Sequence, residues 1–263
     1  MSSPGPITTS PDALAPLTGR TALVTGAGSG IGAAIAVAFA AAGARVCLAD
    51  RTDGAALAAV RQRCADLGAA AVTVQADVSR EDEVERMFAE SRAALGPLDT
   101  VVNNAGILTE AHVAEMATAV FDEMIAVNLR SVFLCSRAAV PPMVEAGFGR
   151  IINIASQVGQ RGGAGMAHYA AAKAGVIGFT RSLARELGAT GVTANCIAPG
   201  PVNTPLGGSL SQEWTSSLMA GLPLGRSGEP DEVAPTAVLL ASVPGGNLYT
   251  GQTLGPNSGD VML

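Results

Sequence analysis

From Thr21 onward the chain alternates between short β-branched, apolar runs and longer alanine-rich stretches with helical spacing. The runs predict strands at Thr21–Thr25, Arg45–Ala49, Ala71–Gln75, Thr100–Asn103, Arg150–Ile154 and Thr193–Ile197, and a late one near Gln252–Leu254. Several are apolar at consecutive positions, the pattern of parallel strands buried on both faces. The stretches between them read as helices. Over Glu81–Ala94, Ser79 is placed to cap, and Glu81, Asp82 and Glu83 suit the positive end of a helix dipole. Met124–Ala139 and Ala167–Gly178 are further helical segments. Alternation of this kind predicts an α/β fold: a single doubly wound parallel sheet with right-handed crossovers and helices on both faces.

Two segments fall outside the rhythm. Residues 1–16, rich in Pro, Ser and Thr, read as a flexible N-terminal tail ahead of one domain over 17–263. Between Pro201 and Pro230, Gly, Ser and Pro residues surround a short apolar stretch, Trp214–Leu222. An insertion of that length just after a strand predicts a lid over a ligand crevice.

Composition narrows the function classes. With 48% hydrophobic and 14% charged residues, wholesale disorder is excluded, and 263 residues can bury a core without disulfides or a structural metal. Lys plus Arg number 16 against 22 Asp plus Glu, a net charge of −6. That balance argues against nucleic acid or an anionic membrane as partner, since both need a basic face. It leaves room for a phosphate ligand held by backbone N–H groups. The four cysteines (Cys47, Cys64, Cys135, Cys196) form no CxxC pair, and His112 and His168 are the only histidines, so no metal site is expected. Free thiols, no run of ~20 apolar residues and no signal-peptide pattern together predict a cytoplasmic protein.

The candidate chemistry starts at the first predicted strand, which runs into Thr25-Gly26-Ala27-Gly28-Ser29-Gly30-Ile31-Gly32 and then a helix. Glycines there let the chain turn tightly and bring backbone N–H groups to a pyrophosphate at the helix N-terminus. The second strand ends in Asp50, whose carboxylate suits the adenosine ribose hydroxyls and would repel a 2′-phosphate; position thus favours NAD. Arg51 next door could pair with that phosphate, which keeps NADP open. Asp77 and Val78 follow the third strand, where they could flank the adenine. Asn103-Asn104-Ala105-Gly106 follows the fourth and offers small residues for close passage of a nucleotide. Tyr169 and Lys173, four apart in one helical segment, share a face; Ser156 follows the fifth strand and Asn128 lies in another helical stretch.

Taken together, Thr25–Gly32, Asn103–Gly106, Asn128, Ser156, Tyr169-Ala170-Ala171-Ala172-Lys173 and Pro199-Gly200 resemble the short-chain dehydrogenases/reductases, from Leu17 nearly to the C-terminus. Within that family the chain looks most like the 3-oxoacyl-acyl-carrier-protein reductases and their alcohol-dehydrogenase relatives. The resemblance implies a Rossmann-type domain that binds NAD, with NADP possible, and moves a hydride between the nicotinamide and a ketone or secondary alcohol. It implies Tyr169 as acid/base, Lys173 as its electrostatic partner and ribose ligand, Ser156 as the group holding the substrate oxygen, and Asn128 as holder of a relay water. It places Pro199, Gly200, Pro201, Val202 and Thr204 at the nicotinamide end, and through Gly251–Gly255 it implies a homotetramer.

For the substrate, Gln157–Met166 should line the pocket together with the lid. Arg161 is read as solvated, His168 as structural, and Trp214 as packing within the lid. The family's carrier-binding arginines beside the entrance correspond to Gly147 and Thr190 here, which favours a small ketone or secondary alcohol over an acyl-carrier thioester. Oxoacyl thioesters remain the alternative. A non-catalytic NAD-binding regulator is a third reading, opposed by the complete set of four catalytic positions.

Overall fold

Neighbouring side chains on one strand point to opposite faces of a sheet, and that rule sorts this core into two layers. Leu23, Cys47, Val101 and Ile151 pack on one side, while Val24, Leu48, Val102 and Ile152, each one position later, pack on the other. All eight are buried, which is why the runs lack polar alternation.

The computed structural model describes residues 15–209 and 211–262. The expected tail over 1–16 falls almost wholly outside them. In chain order the elements are β1 (Thr21–Thr25), α1 (Gly30–Ala41), β2 (Arg45–Asp50), α2 (Ala55–Asp66), β3 (Ala71–Gln75), α3 (Glu81–Leu95), β4 (Thr100–Asn103) and α4 (Thr118–Ile125). There follow α5 (Ser131–Glu145), β5 (Gly149–Ile154), α6 (Val158–Arg161), α7 (Ala167–Leu187), β6 (Val192–Ile197), α8 (Gln212–Ala220), α9 (Pro230–Ala241) and β7 (Thr253–Leu254). The seven strands form one all-parallel sheet in the order β3-β2-β1-β4-β5-β6-β7. One face carries α1, α2 and α9 through Ile35, Phe39, Leu57 and Leu240; the other carries α3, α5 and α7 through Phe88, Leu134 and Leu187.

Strand order reverses between β1 and β4, and a crevice opens there beyond their carboxyl ends. Asn104 ties that point together. Its N–H donates to Thr25 Oγ1 (3.0 Å), and its Nδ2 donates to the carbonyls of Thr25 (2.9 Å) and Gly26 (3.1 Å).

Three local expectations change. Ser79 does not cap α3: its hydroxyl and N–H both donate to Asp77 Oδ1 (2.7 and 2.9 Å), closing a local turn, and Arg80 takes the cap position without a side-chain capping bond. The stretch Met124–Ala139 is not one helix. A π-helical turn, Ala126–Arg130, separates α4 from α5 and holds Asn128 at its centre. The segment from Pro201 to Pro230 is not wholly irregular, since it contains α8, whose first turn is capped by Ser211 Oγ accepting the Trp214 N–H (3.2 Å).

Candidate active site

β1 delivers its chain directly into the crevice. Gly26 takes φ +64° and Gly30 φ +53°, the left-handed region in which glycine has no Cβ penalty. Ser29 is extended at the N-cap of α1 without a side-chain cap, and no acidic residue lies in the first turn, so the N–H groups there have no competing carboxylate. That donor set suits a diphosphate. Asp50, at the end of β2, accepts from the N–H of Gly28 (3.0 Å) and of Thr52 (3.3 Å), so its carboxylate is fixed beside the turn. Exposed Arg51 lines the cleft next to it.

The cleft has a volume of about 1030 Å³, at the upper end of the ~300–1,000 Å³ common for cofactor and substrate sites. Gly26, Ser29, Gly30, Ile31, Asp50, Arg51, Asp77 and Val78 line one end of it, and Asn104, Ala105 and Gly106 line its floor. Ser156, Tyr169, Lys173, Pro199, Gly200, Val202 and Thr204 line the remainder. Asp77 contributes mainly as a turn residue. Burial pushes its carboxyl up, but the Ser79 hydrogen bonds with Arg51 and Arg80 outweigh this and hold it below the usual range.

Two expected site residues sit behind the wall instead of in it. Gly32 is buried in α1, where a Cβ would stand 2.2 Å from Gly26 O and 2.4 Å from Asn104 Nδ2; it lets the helix pack against the turn. Asn128 is fully buried. Its Nδ2 donates to the carbonyls of Ile107 (3.0 Å) and Met124 (3.2 Å), and its Oδ1 accepts from the Ile107 N–H (3.3 Å). It therefore anchors the chain just beyond Gly106. A Cβ on Gly106 would lie 2.6 Å from Asn128 Oδ1 and 3.6 Å from Lys173 Nζ, so glycine keeps those two groups close.

Ser156 follows β5, and its Oγ accepts the Val158 N–H at 3.1 Å, which opens α6. Tyr169 and Lys173 stand one turn apart on α7 and are 7% and 4% exposed. Burial pushes the Tyr169 phenol up to about 12, opposed by its hydrogen bond with Ser156. Burial pushes the Lys173 ammonium down to about 8. Its Nζ donates to the Ile154 carbonyl (2.8 Å) and stands 5.7 Å from the Tyr169 ring centre. One hydroxyl pair and one cation thus converge on the end of β5, next to the phosphate-binding turn. A carbonyl oxygen between the two hydroxyls would meet two donors, with a positive charge nearby to offset developing negative charge.

Comparison with known proteins agrees with this geometry. A family model described as enoyl-(acyl carrier protein) reductase matches residues 26–259. A 3-oxoacyl-[acyl-carrier-protein] reductase from Synechocystis is 41% identical, covering 94% of this chain and 99% of the relative. The (2S)-[(R)-hydroxy(phenyl)methyl]succinyl-CoA dehydrogenase subunit BbsD of Thauera aromatica is 40% identical, covering 89% and 94%. This chain belongs to the short-chain dehydrogenase/reductase family. A solved candidate NAD(P)-dependent gluconate 5-dehydrogenase from Beutenbergia cavernae, with bound NADP at low occupancy, superposes with a TM-score of 0.88 at 39% identity, covering 94% of this chain and 98% of that one. As a family member, the chain is an NAD(P)-dependent oxidoreductase acting on CH–OH groups.

The substrate end of this dehydrogenase/reductase differs from expectation in one respect. Gly147 and Thr190 lie just before β5 and β6, where a Cβ on Gly191 would stand 2.1 Å from Gly147 O; that is the amino end of the strands, opposite the cleft. In one chain they do not flank the entrance, so their lack of charge says nothing about it. Arg161 pairs with Asp260, and no helix among the described residues is long and apolar enough to cross a membrane. His168 is structural, buried with Nε2 2.8 Å from Thr109 Oγ1. Trp214 packs against the buried cluster of Met124, Val158, Met166, Tyr169 and Ala172 while its Nε1 donates to Ala164 O (3.2 Å), so it both packs and lines the cleft. Sequence reasoning missed Ile107 and Leu108 in the wall, whereas Leu206 and Leu218 fall within the segment expected as a lid. The signal for the missed pair was an apolar residue directly after a motif.

Proposed function

We propose that this protein interconverts a ketone and a secondary alcohol, with Tyr169 as proton donor and acceptor, Ser156 holding the oxygen and NAD(H) as the favoured cofactor. The observation that carries the reading is the convergence of the Ser156 and Tyr169 hydroxyls beside Lys173 at the end of β5. Two donors aimed at one oxygen suit reduction at C=O. When bound, the reduced nicotinamide supplies a hydride to the carbonyl carbon. As the C=O π bond breaks, the oxygen takes a proton from Tyr169 Oη, and the phenolate left behind regains one from solvent. A phenol near 12 is fully protonated at neutral pH and ready to donate in this direction. The Lys173 charge stabilises the phenolate. Asn128 takes the role of holding the Gly106–Ile107 chain against Lys173, with one Oδ1 lone pair left for a relay water.

The carboxylate of Asp50, pinned by Gly28, supports NAD over NADP; Arg51 lining the cleft is the contrary feature. The substrate half of the wall is formed by Val158, Met166, Leu206, Trp214 and Leu218, which supports a small uncharged ketone. A 3-oxoacyl thioester is the second reading, favoured by the 41% identical Synechocystis reductase. Exposed Leu239, Val243 and Leu248 on and after α9 support a homotetramer, and four buried thiols support a cytoplasmic setting.

Tyr169→Phe keeps the buried ring and removes the proton, so turnover should fall by at least about 100-fold with NADH affinity held. Undiminished turnover would remove Tyr169 from the mechanism. NADH oxidation with acetoacetyl thioesters beside aliphatic, cyclic and aryl ketones separates the two substrate readings by which class has the higher kcat/KM.

A further inference from the structure

The helix α8 walls the substrate half of the cleft with Trp214 and Leu218, and it is tied down differently at its two ends. Beyond its last turn, the Leu224 N–H donates to Ser258 O (3.1 Å), and a Cβ on Gly259 would stand 2.8 Å from Pro223, so the chain there is seated on the C-terminal segment. That segment is fastened to α6 by the Arg161–Asp260 ion pair. Gly221, at the end of α8, and Gly225, at φ +66°, flank the seat and suit the joints of a hinge. At the start of α8, the Ser211 N–H donates to Glu110 Oε2 (3.1 Å), and one turn on Trp214 Nε1 donates to Ala164 O (3.2 Å).

Both acceptors belong to one platform. The Ala111 N–H donates to Gly165 O (2.9 Å), and Thr109 Oγ1 stands 2.8 Å from His168 Nε2, so the chain after β4 is stitched to the start of α7 just before Tyr169. Glu110 lies across Gly165, where a Cβ would come within 2.9 Å of the Glu110 Cγ; glycine leaves it room. Inside α8 the first turn is already capped without Glu110: Ser211 Oγ accepts the Trp214 N–H (3.2 Å), and Ser211 O accepts the Thr215 hydroxyl (3.0 Å). The Glu110 carboxylate therefore holds the place of the helix and not its shape. It is exposed, so its bond competes with water and can open without unfolding the core.

We propose that Glu110 is a positioning residue that latches the start of α8 to the platform before Tyr169, so that α8 turns on its Gly221–Gly225 end and closes Trp214 and Leu218 over the substrate. Glu110 is not among the residues lining the cleft, so it acts through α8. A latch of this kind sets how well substrate is retained and leaves the chemical step to Tyr169. The kinetic half of the proposal rests on the ketone–alcohol reading above; the placement of α8 does not.

Trp214 is the only tryptophan, so its fluorescence reports on α8 directly. In Glu110→Ala, acrylamide quenching of the free protein should increase at least about twofold and the ketone KM should rise about 3–10-fold, while kcat and NADH affinity hold. Glu110→Gln keeps an acceptor oxygen and should stay near the wild type in every readout. Thermal unfolding checks each variant. If Glu110→Ala does not fold, Ser211→Pro against Ser211→Ala decides: both lose the hydroxyl cap, but only proline removes the N–H, at a φ of −63° that it accepts, and it should show the extra quenching and the KM rise. Unchanged quenching in Glu110→Ala, a fall in kcat at constant KM, or a Glu110→Gln protein as impaired as Glu110→Ala overturns the proposal. If no ketone or thioester supports NADH oxidation, the functional reading fails, and the quenching comparison still decides the latch.

Discussion

The packing of α1 against the phosphate-binding turn can be tested with one methyl group. In Gly32→Ala the new Cβ would lie 2.2 Å from Gly26 O, 2.4 Å from Asn104 Nδ2 and 2.9 Å from Gly26 C, where ordinary contact begins at 3.4 Å. The Gly26 carbonyl must therefore retreat by about 1 Å, or α1 must lift from β1. Either movement disturbs the Asn104 bonds to Thr25 O and Gly26 O that close the crevice floor. Overpacking costs roughly 1–3 kcal/mol and a weakened hydrogen bond about 1 more. The expected loss is about 2–4 kcal/mol, a fall in Tm of roughly 5–15 °C for a chain of this size. NADH affinity should fall at least about tenfold, because the displaced groups belong to the turn itself. The matched control is Gly54→Ala, at the exposed N-cap of α2, where the added Cβ meets nothing within 4 Å. Its effect should stay within about 1 kcal/mol, the usual cost of Ala at an N-cap. Differential scanning fluorimetry and fluorescence titration with NADH read both quantities. A Gly32→Ala protein with wild-type Tm and NADH affinity would refute the packing argument.

Two further outcomes follow from the site. Asp50→Ala removes the acceptor for the Gly28 and Thr52 N–H groups, and the ratio of kcat/KM for NADH over NADPH should fall at least about tenfold; a wild type that already prefers NADPH contradicts the role given to Asp50. Lys173, lowered from 10.5 to about 8 in the fold, releases its proton earlier than in the unfolded chain. Between those pH values the unfolded state binds more protons, so stability rises with pH. Relative to Lys173→Met, the wild type should therefore gain up to about 3 kcal/mol between neutral pH and pH ~10.5. Denaturant unfolding at both ends checks it, and a constant difference rules it out.

Much of the scaffold was legible because its central strands β1, β4 and β5 are buried throughout and the others are short apolar runs. Thr21–Thr25, Ala71–Gln75 and Thr100–Asn103 have the expected bounds, and the other strands differ by one residue at an end. Continuous apolar runs flanked by turn residues leave little choice of register. The π-helical turn around Asn128 was not legible. Apolar spacing continues across it, and the break accompanies bonds to Ile107, a residue 21 positions away. Ser79 misled for a local reason: Asp77 two residues earlier captured its hydroxyl before the helix could use it. The motif residues came together as expected, with Gly32 and Asn128 as supports behind the wall. Gly147 and Thr190 show the converse failure: each lies just before a strand, at its amino end, and the motif match was read without that placement. Glu110 lay outside every motif, and its bond to Ser211, 101 positions away, is a property of packing that no spacing reveals.

Burial at the end of β5 pushes Tyr169 and Lys173 away from their charged forms, the phenol upward and the ammonium downward. Each shift alone works against catalysis that needs phenolate and ammonium together. The same exclusion of water strengthens the attraction between those two charges once both exist, because interaction energy grows as the local dielectric falls. A neutral phenol beside a partly charged lysine is thus a resting arrangement, and proton transfer to a substrate oxygen creates the charge that Lys173 is placed to meet. Ile154 O holds the ammonium in place meanwhile, at 2.8 Å, so little reorganisation is needed when the phenolate appears. The two groups are therefore tuned jointly. Widening the cavity around either residue should relax both shifts and slow reduction even with all four motif side chains intact.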